Sequence, residues 1–283
     1  MGTTSKATFS ELLQIPAGPV DLSDYGTRDT PGFDGKKQAG KQALDGLGDE
    51  LDGLQAQLYA HGRTGGERRL LLVIQGMDTA GKGGVCRHVV GQMDPQGVEI
   101  TAFKKPTPRE LRRGFLWRIR SALPEPGFIG VFDRSHYEDV LIARVDDLAP
   151  PEVIERRYDS INAFEAEITE LGCMIVKVML HISRDEQRDR LTERLDREDK
   201  HWKYNRADVE VRKRWEEYQR AYEIALERCN TDVAPWYVVP ADRKWYRNLA
   251  ISHLLVEHLR SMELDWPKAD FDLERERKRL AAS

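Results

Sequence analysis

Two hydrophobic periods alternate along this chain, and the places where one gives way to the other mark its elements. Residues 70–74 (LLLVI) form a continuous apolar run with the length and β-branched character of a buried parallel strand. Residues 98–103, 128–133, 174–182 and 235–239 read as four further strands. Between them the period is helical. From 36 to 61, Leu44, Leu47, Leu51, Leu54 and Leu58 recur at steps of 3 and 4, giving one leucine stripe that Gly46, Gly48 and Gly53 only weaken. The stripe spans too few heptads for a coiled coil, so it predicts a helix packed on the core. Helices are also predicted over 82–93, from about Thr107, over 152–171 after the Pro150-Pro151 break, within 184–230, and over 243–262. Residues 1–35, rich in Gly, Pro, Asp, Ser and Thr, predict an irregular arm, and the charged tail runs to Ser283. The expectation is one α/β domain, a central five-stranded, mainly parallel sheet flanked by helices, with 184–230 as a helical module of its own.

The strand at 70–74 runs into a glycine-rich loop, Gly76-Met77-Asp78-Thr79-Ala80-Gly81-Lys82-Gly83-Gly84. Strand, loop, then helix is the context in which a phosphate-cradling P-loop forms. Gly76 and Gly81 let backbone N–H groups turn inward, the helix N-terminus adds its dipole, and Lys82 reaches the outer phosphates. Two departures from the common motif are informative. Gly83 stands where a Ser or Thr usually helps hold Mg²⁺, and Asp78 puts a carboxylate where a polyanion should lie. Both are accommodated if Asp78 supplies the oxygen ligand that Gly83 lacks, with Mg²⁺ between carboxylate and phosphate. An Asx turn is the plainer role for Asp78, and the two are compatible.

Composition narrows the partners. A chain of 283 residues with 40% hydrophobic and 33% charged content buries one substantial core. Its net charge of −4 advertises neither nucleic acid nor membrane, so a polyanion site must come from local clustering. Cys86, Cys173 and Cys229 are odd in number and lack metal-ligand spacing, which predicts reduced thiols in a cytoplasmic protein. No stretch is apolar enough to span a bilayer, no secretory signal is visible, and Lys6 takes the place of the hydroxyl that an N-myristoylation signal after Met1-Gly2 needs.

Clustering is found in two places. Lys104, Lys105, Arg109, Arg112, Arg113, Arg118 and Arg120 oppose the single acid Glu110. On a helix from Thr107, Arg109, Arg113 and Arg120 share a solvated face, with Leu111, Phe115 and Ile119 opposite. Arg118 borders the apolar side and therefore calls for an anionic partner. The stretch 184–230 carries Arg188, Arg190, Arg194, Arg197, Lys200, Lys203 and Arg206, and reads either as a lid closing over phosphates or as a helix laced with ion pairs. Asp133 ends the 128–133 strand beside the P-loop strand, the geometry of a second Mg²⁺ ligand. Ser135 and Glu138 after it are spaced as a capping box.

GMDTAGKGG at 76–84, FLWR at 115–118, DRSHYEDVL at 133–141, KHWKYN at 200–205 and APWYVVPADRKWYRNLA at 234–250 together resemble the second family of polyphosphate kinases. The resemblance implies a thymidylate-kinase-like P-loop kinase fold and transfer of phosphoryl groups between inorganic polyphosphate and nucleotides. It implies Mg²⁺, with Mn²⁺ as a substitute, held by Asp78 and Asp133. Lys82 and Arg134 join those two as catalytic residues. Gly76, Gly81, Gly83, Lys104, Arg118, Arg190, Arg194, Lys200 and Lys203 are implied to bind phosphate. Glu138 matches members that accept nucleoside monophosphates as well as diphosphates, whereas members restricted to diphosphates tend to have Asn there. Adenine nucleotides are the implied acceptors, with guanine nucleotides and a homo-oligomer left open, and no nucleic acid or membrane partner is implied. Arg197-Glu198-Asp199 departs from relatives that have a proline in the lid. An ATP-driven nucleoside or nucleotide kinase is the first rival, opposed by Gly83. A phosphate-sensing module without turnover is the second, opposed by the two retained carboxylates.

Overall fold

The structure, a computed structural model, describes residues 7–283; Met1, Gly2 and Lys6, with the rest of the first six residues of the arm, lie outside it. Five strands, β1 (Arg69–Gly76), β2 (Val98–Ala102), β3 (Ile129–Asp133), β4 (Cys173–His181) and β5 (Trp236–Pro240), form one sheet in the order β2-β3-β1-β4-β5. Every pairing is parallel, with Ile74 opposite Asp133 and Val178. The order reverses between β1 and β3, so the loops after these two strands open a crevice at one end of the sheet. This is the P-loop kinase arrangement, with the glycine loop on the central strand.

Leu70, Leu71, Leu72, Val73 and Ile74 have no exposed surface. Burying each side chain stabilises the fold by about 1.5–3 kcal/mol, which explains why β1 is apolar without interruption from Leu70 to Ile74. Edge strand β2 is largely exposed instead, in keeping with its mixed sequence. The helices are α1 (Phe9–Leu13), α2 (Lys37–Arg63), α3 (Lys82–His88), α4 (Pro108–Leu111), α5 (Trp117–Arg120), α6 (Ile142–Val145), α7 (Pro151–Glu170), α8 (Arg184–Asp196), α9 (Ala207–Lys213), α10 (Trp215–Arg228), α11 (Lys244–Ser261) and α12 (Leu273–Ala281). The leucine stripe of α2 faces inward as its spacing predicts, with Leu44, Leu51 and Leu58 buried.

Four expectations change on folding. The arm holds a helix: Thr8 and Glu11 form a capping box on α1, Phe9 stacks on His253 with ring centroids 4.0 Å apart, and Ile15 N–H donates to Trp236 O at 3.0 Å, covering the free edge of β5. The helix expected from Thr107 is broken into α4 and α5 around Gly114, because four-residue apolar spacing cannot hold a helix across a glycine with no core beneath it; Leu111 is 69% exposed. The first helix after the P-loop stops at His88 and passes into a 3₁₀ turn at Val90–Gln92. Finally, Trp215, Tyr218, Tyr222 and Leu226 bury one face of α10 in the core, so the latter part of 184–230 is a crossover helix before β5.

Candidate active site

The P-loop is held from outside by its carbonyls. Gly76 (φ 149°), Thr79 (φ 66°) and Gly81 (φ 115°) take left-handed backbone conformations. A Cβ at Gly81 would be strained at that φ and would lie 1.7 Å from Arg247 Nη1, which would have to move. Gln187 donates to Asp78 O at 3.1 Å, and Arg190 to Thr79 O and Ala80 O at 2.9 Å each. Arg247 donates to Ala80 O at 3.2 Å. Ala80 N–H donates to Met77 O at 3.0 Å and Gly84 N–H to Gly81 O at 2.8 Å, so the N–H groups a phosphate cradle would use are the loop's others. Lys82 Nζ lies across the mouth, donating to Gly76 O at 2.7 Å. Among the described residues no carboxylate pairs with the buried Arg247, and burial, helped by the Arg190 charge, pulls its guanidinium down to about 9. Neither Gln187 nor Arg247 is visible in the P-loop motif. Arg247 lies in the 234–250 block, and its burial is a tertiary fact.

On one side of the loop lies a pocket of about 180 Å³ lined by Gly76, Met77, Asp78, Arg134, Glu138 and, from the 184–230 stretch, Asn205 and Asp208, with Tyr218 and Tyr222 of α10. Arg134 follows β3 with φ 66°, a conformation that costs a non-glycine residue about 1 kcal/mol or more. It is held by its own N–H to Ile74 O at 3.1 Å and by its guanidinium to Asp78 at 2.9 Å. Glu138 lies 3.8 Å from Arg134. Burial raises the Glu138 carboxyl above its ordinary value, opposed by the charges of Arg134 and Lys82. Asp208 is raised to about 6, by burial first and then by the Asp78 charge, although it pairs with Arg194 at 3.0 Å. Burial with the Glu138 and Asp78 charges keeps Tyr222 neutral, its phenol held well above its ordinary value.

The capping box that the spacing of Ser135 and Glu138 allows does not form. Residues His136–Asp139 are a 3₁₀ turn, so Ser135 Oγ accepts from Tyr137 N at 3.2 Å and the Glu138 side chain turns into the pocket. His136 and Tyr137 point the other way, into the core. Their side chains meet Glu165, which pairs with Lys177 at 2.5 Å, and Lys177 also donates to Tyr137 Oη at 2.9 Å and Cys229 O at 2.7 Å. Apart from His136 Nδ1, which is buried with no hydrogen-bond partner among the described residues, the polar atoms of this network are paired, and it anchors the turn that carries Arg134 and Glu138.

On the other side of the loop is a cleft of about 930 Å³, reaching Thr79, Gly81 and Gly84. Ten lysine and arginine side chains line it against four carboxylates, so it attracts a polyanion. Arg190, Arg194, Lys200 and Lys203 are among them, joined by Lys37 and Lys41 of α2 and by Arg87, Arg243, Lys244 and Arg247. The α2 lysines sit far from any motif and carry no signal in the sequence. Lys200 and Lys244 both pair with Glu193, whose carboxyl is held down to about 2, by the Lys200 hydrogen bond above all. Gly83 faces open space at the start of α3.

Lys104 and Arg118 belong to neither pocket. Arg118 is 8% exposed, donates to Lys104 O at 2.8 Å, pairs with Asp139 at 3.6 Å and lies over the Phe103 ring. It borders a separate hollow of about 410 Å³ between α4, α5 and α7. The anionic partner its position called for is thus supplied from within the chain. Asp133 ends β3, half-buried, close enough to Cys86 and Arg134 for its charge to act on both. Among the described residues no three His, Cys, Asp or Glu side chains converge as an all-protein metal cage, and no helix is long and apolar enough to cross a membrane.

Comparisons with known proteins agree with this geometry. The family model described as Polyphosphate kinase 2 (PPK2) matches residues 34–267. The chain is 44% identical over 255 residues to the AMP/ADP-polyphosphate phosphotransferase of Meiothermus ruber, covering 90% of this chain and 94% of that one. It is 40% identical over 261 residues to the ADP-polyphosphate phosphotransferase of Rhodopseudomonas palustris, covering 88% and 89%. The crystal structure of polyphosphate kinase 2 from Arthrobacter aurescens TC1 superposes with a TM-score of 0.96 at 50% identity, over 98% of each chain.

Proposed function

The chain belongs to the polyphosphate kinase 2 family, and on that premise we propose that it moves a phosphoryl group between inorganic polyphosphate and AMP or ADP. The observation that carries this reading is the placement of the P-loop as the wall between two clefts of different character. The basic one suits a long polyanion. The smaller one, with Arg134, Asp78 and Glu138, suits the terminal phosphate of a nucleotide. A donor and an acceptor would meet over Lys82.

The attacking group is a phosphate oxygen already ionised at neutral pH, so the residues need supply no general base. Their task is alignment and neutralisation of charge in an in-line transfer. Lys82, released from Gly76 O, would turn to the transferred phosphoryl group, and Arg134 would hold the acceptor phosphate. Residues 184–213 would act as the lid, bringing Arg194, Lys200 and Lys203 over the polyphosphate and excluding water.

Asp78 and Asp133 both act on the Arg134 guanidinium from the crevice end of the sheet. Two carboxylates without a third fit Mg²⁺, which takes one or two carboxylates and completes its shell with phosphate oxygens and water. When bound there, the ion would neutralise developing charge on the transferred group. Mn²⁺, also an oxygen-seeking ion, should substitute. Three free thiols, two of them buried, support a cytoplasmic site of action.

Incubation of the purified chain with polyphosphate, Mg²⁺ and either AMP or ADP should yield ADP or ATP. Turnover of ATP with a nucleoside acceptor, and none from polyphosphate, would overturn the reading.

A further inference from the structure

Gln75 is fully buried and comes directly before Gly76 on β1. Its amide crosses to the turn after β3, and its neighbours dictate how it is oriented. The oxygen accepts from Ser135 N at 3.1 Å and from Ser135 Oγ at 3.0 Å, while the nitrogen donates to Glu138 Oε1 at 3.1 Å. Ser135 Oγ uses its remaining capacity to accept from Tyr137 N. One side chain on the P-loop strand thus fixes both the backbone of the acceptor-side turn and one carboxylate oxygen of Glu138. Arg134 approaches Glu138 through its other oxygen, Oε2.

We infer that Gln75 is a specificity-determining positioning residue: by holding the Glu138 carboxylate, it sets the preference for a nucleoside monophosphate over a diphosphate. The inference rests on the reading that Glu138 serves the acceptor. A monophosphate is one phosphoryl group shorter, so its attacking oxygen depends more on protein contacts for its place, and a carboxylate free to rotate loses that function. The amide donor is the part of Gln75 that matters for selection. Its acceptor oxygen serves Ser135 and hence the fold.

The test measures kcat and KM for AMP and for ADP, with polyphosphate as donor, in the full chain. The variants are Gln75→Leu, Glu138→Gln and the two combined, with melting temperatures alongside. Gln75→Met is added because its thioether is close in shape to the amide and leaves Ser135 a weak acceptor while removing the donor to Glu138, so it remains informative if Gln75→Leu does not fold. Gln75→Leu and Gln75→Met should each lower the AMP-to-ADP ratio of kcat/KM by roughly tenfold. In the Glu138→Gln background, Gln75→Leu should no longer move that ratio. Equal losses with both acceptors would make Gln75 merely structural and overturn the inference. So would a ratio shift that persists without the Glu138 carboxylate. If Glu138→Gln alone leaves the ratio unchanged, the underlying reading of Glu138 fails. If Glu138→Gln moves it and neither Gln75 variant does, only the role of Gln75 fails.

Discussion

Residues 104–120 and 184–203 are two arginine-rich parts of this chain, and each buries one arginine, Arg118 in the first and Arg190 in the second. Their surroundings differ. Arg118 meets a single backbone carbonyl, a carboxylate and a ring, and helps organise the end of β2. Arg190, 6% exposed, donates to four carbonyls, those of Thr79, Ala80, Ala241 and Asp242, and pairs with Glu186 at 2.8 Å. One arginine props up an edge, and the other ties the P-loop to the end of β5. The comparison teaches that a buried guanidinium is defined by the acceptors that surround it. The cations left for a ligand are those at the rim of the basic cleft.

The sharpest contrast with both arginines is expected at the residues proposed to meet the transferred group. On the proposed function, in which each acts on transition-state charge, Lys82→Ala and Asp133→Ala should each lower kcat by at least ~10²-fold, while the melting temperature moves little. Steady-state kinetics with calorimetry would show this, and a loss of activity explained by unfolding would contradict it.

Arg190→Ala should cost about 3 kcal/mol of stability, because it strands loop carbonyls and the Glu186 charge, and activity should fall with the loosened P-loop. Arg118→Ala should cost less, about 1–3 kcal/mol, and leave the P-loop chemistry largely intact. Denaturant unfolding of the two variants, read against their kcat, separates the roles. Equal activity losses would erase the distinction drawn between the two regions.

A smaller effect concerns Asp208, which faces Asp78 across the pocket. Its carboxyl is raised from 3.8 to about 6, so the folded chain binds a proton there more tightly than the unfolded chain. The stability of the wild type relative to Asp208→Asn should therefore fall as pH rises from about 4 to about 6 and stay level above. A difference that grows in the wild type's favour over that window would contradict the burial argument.

The smallest expected effect is on salt dependence. By analogy with nucleic acids, each rim cation removed should flatten the logarithmic salt slope of polyphosphate affinity by roughly 0.7–0.9. Lys41→Ala, in the basic cleft, should do so, whereas Arg109→Ala, whose guanidinium lies over Trp117, should not.

The sequence by itself determined the strands, the P-loop and the family. Apolar runs such as 70–74 can be buried on both faces only in a parallel sheet, and the glycines at 76 and 81 have conformations that other residues adopt at a cost. These are local constraints, legible one segment at a time. The positions of Asp78, Lys82, Asp133, Arg134 and Glu138 around one crevice follow from the motifs that carry them, because strand ends in a parallel sheet converge at its carboxyl edge. Tertiary structure decided what each charge is for. Ser135 and Glu138 have the spacing of a capping box, but a 3₁₀ turn and the Gln75 amide redirect both. Arg118 carries the composition of a phosphate ligand, yet Asp139 from another segment takes its charge. Lys37 and Lys41 look like ordinary surface lysines until α2 brings them to the basic cleft. A backbone preference is set by neighbours in the chain, whereas a long charged side chain is assigned by whichever acceptor, possible only after folding, comes within reach.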